Sequence, residues 1–148
     1  MSFEYKEDKK YFVDLIAGGD ELLFNEKFTH LFDFRDSKIK RDEFNRLIKQ
    51  LKPQILKRDK ICRLKLNDGC LIDERFEIDH VIPLLTNKLN KELRNMKPEP
   101  NCKVVSQSFG LNHIDNLVLA CHNCNGFKKH KLLRKEDIMR IINTVANS

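Results

Sequence analysis

The sequence predicts an α+β fold in which a central strand–strand–helix unit is flanked by N-terminal and C-terminal helices. Three observations predict it. Arg75 to Val81 alternates Phe76, Ile78 and His80 against Glu77 and Asp79, the period of a strand that ends before Pro83. Asn116 to Ala120 is a second short apolar run, Leu117-Val118-Leu119, bounded by polar residues. On either side of this pair, apolar residues recur at spacings of three and four, the period of amphipathic helices.

The first helix is expected over Asp20 to Phe34, with Leu23, Phe24, Phe28, Leu31 and Phe32 on one side and Asp20 as N-cap after Gly18 and Gly19. A second should run from about Asp42 to Asp59. There Phe44, Leu47, Ile48, Leu51, Ile55 and Leu56 face inward, the other side is basic, and Pro53 kinks or divides the helix. The stretch between the strands is an insertion: Thr86 to Met96 is compatible with a helix, and Pro98 and Pro100 impose an extended turn before Cys102. Asn123 to Leu133 reads as helix, and Glu136 to Val145 as another, with Ile138, Met139, Ile141 and Ile142 forming its apolar side. The expected organisation is a helical arm over 1–54, a strand-bearing domain over 55–133 with its insertion at 85–110, and a C-terminal helix over 134–148 packed on that domain.

Composition narrows the partners. With 148 residues, 41% of them hydrophobic, the chain can bury one core. The net charge is +6, yet residues 1–34 carry four Lys against eight acidic residues, so the basic surface belongs to the rest of the chain. Dense patches run from Arg35 to Lys60 and from Lys128 to Lys135, which suits an anionic partner. Met1 to Lys10 is charged, and no run approaches the roughly 18 apolar residues of a membrane span, so a cytoplasmic protein away from membranes is expected. Five Cys make an odd number for a disulfide framework, and Cys121-x-x-Cys124 reads as metal-binding or redox-active.

The chemistry-bearing residues fall in order: Glu77-Ile78-Asp79-His80-Val81-Ile82-Pro83, then Asp115-Asn116-Leu117-Val118-Leu119-Ala120, then Cys121-His122-Asn123-Cys124-Asn125 with Lys128 at the opening of a helix. In these three pieces the chain resembles the HNH nuclease family, with its ββα-metal unit, over roughly Ile55 to Leu133. The resemblance implies a metal-dependent endonuclease that hydrolyses phosphodiester bonds in DNA, with restriction or phage defence as a setting. By the family pattern His80 is the general base, Asp79 and Asn125 hold the divalent cation, and Asn116 braces the loop that starts at His80.

A neutral imidazole, with a pKa near 6.5, suits the base. Two oxygen ligands that leave room for water and phosphate suit Mg²⁺ or Mn²⁺. Adjacent residues of a regular strand point to opposite faces, so Asp79 and His80 should meet one phosphate only if the strand breaks between them. On the helix, Lys128 and Lys129 fall near the face of Asn125, whereas His130 lies away from it; Lys128, Lys129 and Lys131 are expected to meet DNA phosphates.

Where many family members carry two Cys-x-x-Cys pairs around a structural zinc, Cys62 here is followed three positions on by Lys65. Cys62, Cys70, Cys121 and Cys124 can still form a four-thiolate Zn²⁺ site; Cys102 competes for the fourth place, and buried apolar cysteines with no metal are the alternative. His113 is read as structural, and His30 and His122 carry no motif. Two other functions stay open: a zinc-containing DNA-binding module without cleavage, and an RNA-directed or toxin-like nuclease. The Phe24, Phe28 and Phe32 stripe is either core or a docking surface for a second copy or a partner subunit.

Overall fold

The computed structural model describes residues 2–66, 70–128 and 135–146. Helices α1 (Lys6–Ala17) and α2 (Glu21–Lys27) lead through a short 3-10 turn (Thr29–Leu31) to the long helix α3 (Ser37–Arg58). Strands β1 (Glu77–His80) and β4 (Leu117–Ala120) form one antiparallel pair, with Glu77 opposite Ala120 and His80 opposite Leu117. Between them lie β2 (Leu85–Thr86), α4 (Lys88–Glu92) and β3 (Gln107–Ser108), where β2 and β3 make a second two-stranded sheet. Helix α5 (His122–Lys128) follows β4 directly, and α6 (Lys135–Ala146) closes the described chain. The architecture is α+β. Among the described residues no helix is long and apolar enough to cross a membrane.

β4 is buried along its whole length because it has a core on each face. Leu117 and Leu119 pack with Ile55 on one side, joined by Phe44 and Leu51 of α3 and by Ile78. Val118 and Ala120 face the other core, with Phe12 and Ile16 of α1 and Ile138, Ile141 and Ile142 of α6. Burying a side chain of this size contributes about 1.5–3 kcal/mol. The N-terminal aromatic residues therefore share a core with the strands, and Phe24, at 0% exposure, and Phe28 are part of it.

Several local expectations need correction. The helix expected over 20–34 stops at Lys27, although Asp20 does cap it, accepting the Leu23 N–H at 3.1 Å. Phe32 is extended instead, bridges to Gly110 and stacks among Phe3, Phe12 and Phe34, so aromatic packing overrides helical spacing there. Helix α1 was not foreseen, because its charged first turn hides the buried Phe12, Leu15 and Ile16 further along. α3 starts at Ser37, after an Asp36 cap, and runs undivided through Pro53. Helix in the insertion is confined to Lys88–Glu92.

Candidate active site and cysteine centre

β1 is one edge of a two-stranded sheet, and that position resolves the alternation problem. The strand does not break at His80: pairing continues to Leu117, and the Val81 N–H goes on to bond the Asn116 carbonyl at 2.9 Å. Asp79 and His80 nevertheless line one cleft of about 780 Å³, because it runs along the free edge of β1. Arg41 and Phe44 of α3 form one wall; Asn125, Gly126 and Lys128 of α5 form another; Lys103 and Ser106 come from the insertion. The expected strand break is corrected by this edge geometry.

On one side of β1, α5 grips alternate carboxylates. Asn125 Nδ2 donates to Glu77 Oε2 at 2.5 Å, and Lys128 Nζ lies 3.1 Å from Asp79 Oδ2. Since the amide nitrogen of Asn125 is committed to Glu77, its carbonyl oxygen is left for another partner. The Lys128 ammonium also donates to the His80 carbonyl at 2.8 Å, and its side chain is 1% exposed. Lys128, expected from helix geometry to meet a phosphate, is instead turned inward, where a buried carboxylate needs countercharge. Asp79 Oδ2 is buried and accepts no directed hydrogen bond. Burial pushes the Asp79 carboxyl above its ordinary range, and the Lys128 ammonium only partly opposes this. Asp79 and Asn125 line the same cleft, so each could offer an oxygen to a cation there, with the Lys128 ammonium already beside the Asp79 carboxylate.

On the other side, His80 packs its ring 5.0 Å from that of Phe44 and bonds Asn112 Oδ1 through Nε2 at 2.8 Å. The tautomer follows. Asn112 Nδ2 donates to the Lys40 carbonyl at 2.7 Å and to Glu43 Oε1 at 3.1 Å, so Oδ1 is the acceptor and His80 Nε2 carries the proton. His80 Nδ1 then holds the lone pair. Burial, with Lys128, Lys40 and Arg41 adding to it against the Asn112 hydrogen bond, brings the imidazole down to about 4, so it is neutral at cellular pH.

The backbone beyond His80 is held by Asn116, which is buried. Ile82 N–H donates to its Oδ1 at 2.8 Å, and its Nδ2 donates to the carbonyls of Ile82 and Leu111, both at 3.0 Å. Gly110 lies against the same segment, where an added Cβ would run into the Ile82 carbonyl oxygen. Lys40, fully buried, donates to the carbonyls of Asp33, Leu84 and Gly110 at 2.7, 3.2 and 2.6 Å, tying three segments together behind the cleft.

At the far end of the same sheet, beyond the Glu77–Ala120 pair, the sulfur atoms of Cys62, Cys70, Cys121 and Cys124 all lie within 4.8 Å of one another. Tetrahedral zinc with Zn–S bonds of ~2.3 Å separates its sulfurs by ~3.8 Å. Backbone N–H groups of Leu66, Cys121 and Cys124 point at Cys124, Cys62 and Cys121 sulfurs, at 3.3, 3.4 and 3.3 Å. The cluster could hold a metal ion such as zinc. Cys102 is exposed and outside it. Lys129, His130 and Lys131 lie outside the described residues.

Sequence reasoning missed Asn112, Glu77 as the partner of Asn125, and the accessible cations Arg41 and Lys103. None belongs to a spacing motif; each reaches the cleft through tertiary packing. Comparisons with protein-family models, curated proteins and solved structures find no match.

Proposed function

We propose that the chain is a metal-dependent endonuclease of the HNH type acting on DNA, with His80 as general base and Asp79 and Asn125 as the protein ligands of a Mg²⁺ or Mn²⁺ ion. The observation that carries this reading is the cleft along β1, whose lining brings together His80, neutral and with its lone pair on Nδ1, Asp79 and Asn125. A bound cation would stabilise charge on the phosphate and on the leaving oxygen. Asn112 keeps Nε2 protonated, so Nδ1 takes the proton from an attacking water. Asn116 fixes the backbone that follows His80, and Glu77 orients the Asn125 carboxamide. Arg41 and Lys103, both exposed, offer phosphate contacts in the cleft. On this reading β1, β4 and α5 are the ββα-metal unit, and the four cysteines hold a structural Zn²⁺ at its other end.

Supercoiled plasmid incubated with the purified protein and Mg²⁺, Mn²⁺ or chelator tests the activity. Nicking or linearisation should require the cation, and His80→Ala should lower it ~10²–10⁴-fold while leaving salt-sensitive DNA binding intact. A folded His80→Ala protein that cleaves at the original rate would remove the general-base role. Cleavage of RNA in preference to duplex DNA would favour the RNA-directed nuclease. For the cysteine centre, about one equivalent of zinc should persist through purification, and Cys70→Ser should lose it while Cys102→Ser keeps it.

A further inference from the structure

His30, His113 and Asp115 bring their ligand atoms within 4.8 Å of one another, although His30 is 85 positions from Asp115 in the chain. His30 Nε2 lies 2.8 Å and His113 Nδ1 3.7 Å from the same oxygen, Asp115 Oδ2. The imidazole rings stand 5.3 Å apart and nearly perpendicular, with an interplanar angle of 80°. An ion bound at ~2.0–2.2 Å by nitrogen and oxygen ligands separates neighbouring ligand atoms by ~3–3.5 Å, and the two observed spacings bracket that range.

Protonation also fits. His113 Nδ1 accepts the Asp115 backbone N–H at 3.0 Å, so it is the unprotonated nitrogen, and an ion bound there would take over the lone pair that this hydrogen bond now uses. A His30–Asp115 hydrogen bond alone needs no second imidazole there. The three side chains are 42–45% exposed, so the group is reachable from solvent.

We infer that His30, His113 and Asp115 form a second, exchangeable binding site for a divalent transition metal such as Zn²⁺ or Ni²⁺. Two imidazoles and one carboxylate select borderline cations over Mg²⁺, and three protein ligands leave positions for water, so the ion is held less tightly than by four thiolates. Bound there, it clamps the 3-10 turn after α2 to the turn that carries Asn116. The site is independent of the nuclease reading, because none of its residues lines the cleft.

Ni²⁺ titration of the 148-residue chain with its cysteine centre intact provides the test, read by calorimetry and by thermal midpoint. The wild type and Asp79→Ala should each take up one Ni²⁺ through this site, with a rise in midpoint. His30→Ala and His113→Gln should each weaken that uptake by at least tenfold and lose the rise. Both positions are half-exposed, so the variants should fold, which the midpoint without added metal checks. Equal uptake in the histidine variants, no uptake by the wild type, or loss of the event in Asp79→Ala alone would each overturn the inference.

Discussion

The two outer edges of the β1–β4 sheet both carry a buried aspartate, and the two carboxyls are displaced in opposite directions. At the β4 edge, Asp59 accepts from Arg58, from Arg63 and from the Leu119 N–H at 3.0 Å, while the Arg63 N–H bonds the Leu119 carbonyl at 2.9 Å. Burial raises its pKa, but these donors outweigh burial and hold it below the ordinary carboxylate range. At the β1 edge, burial of Asp79 is opposed by fewer donors, the Lys128 ammonium and the His80 N–H, and its carboxyl is pushed up. Burial pushes both carboxyls up, and only at Asp59 do the donors outweigh it. A saturated carboxylate closes a sheet edge; on the proposed reading, the one that lines an open cleft takes a cation.

The sharpest way to break this comparison is to remove Asp59. Asp59→Ala takes the carboxylate from the Arg58 and Arg63 guanidinium groups and the acceptor from the Leu119 N–H, and should cost about 3–5 kcal/mol in urea unfolding. Because the folded pKa of Asp59 is depressed, its contribution is fully present above the ordinary carboxyl pKa and is lost as pH falls through the lowered value. The acid limb of stability should therefore be shallower in Asp59→Asn than in the wild type. An unchanged acid limb would mean that Asp59 is not saturated in solution.

Asn112→Ala should have the next largest effect. It frees the His80 ring to change tautomer, and loss of an orienting partner of this kind typically lowers activity 10–100-fold. Plasmid cleavage at saturating Mg²⁺ measures it, and DNA affinity should stay within twofold if Asn112 acts only through His80.

The uneven legibility of the two ends of this sheet has a physical origin. Cys121 and Cys124 sit three apart where a strand turns into a helix, and that local geometry writes itself into the sequence. The fourth place lies open in the sequence between Cys70 and Cys102, and only packing decides it. At the other end, the partner of His80 is 32 positions away on an irregular segment, and the buried Lys40 looked like one more cation of a basic helix. The expected break at His80 came from assuming a cleft on one face of the sheet; a cleft along an edge needs none.

Glu77→Gln tests the orientation of Asn125. Gln retains an acceptor for the Asn125 Nδ2, so cleavage should fall by less than about threefold, whereas Glu77→Ala, which leaves that amide free to turn, should lose about tenfold. Equal losses in the two variants would point to the charge of Glu77 rather than to its hydrogen bond.

The smallest expected stability change comes from neutralising the Asp79–Lys128 pair as a unit. Removing either charge alone leaves the other buried: Lys128 is 2% exposed, and without it Asp79 keeps the His80 backbone N–H but no countercharge beside it. Asp79→Asn together with Lys128→Met removes both charges and keeps side chains of similar volume. Replacing a buried ion pair in this way is often neutral or stabilising, because the desolvation cost of the charges disappears with their attraction. The double variant in chelator should thus stay within about 1 kcal/mol of the wild type, while metal-supported cleavage is lost with the Asp79 carboxylate. A loss as large as that expected of Asp59→Ala would mean that both edges of the sheet are held by their aspartates alike, and the division into a closed edge and a working one would fall.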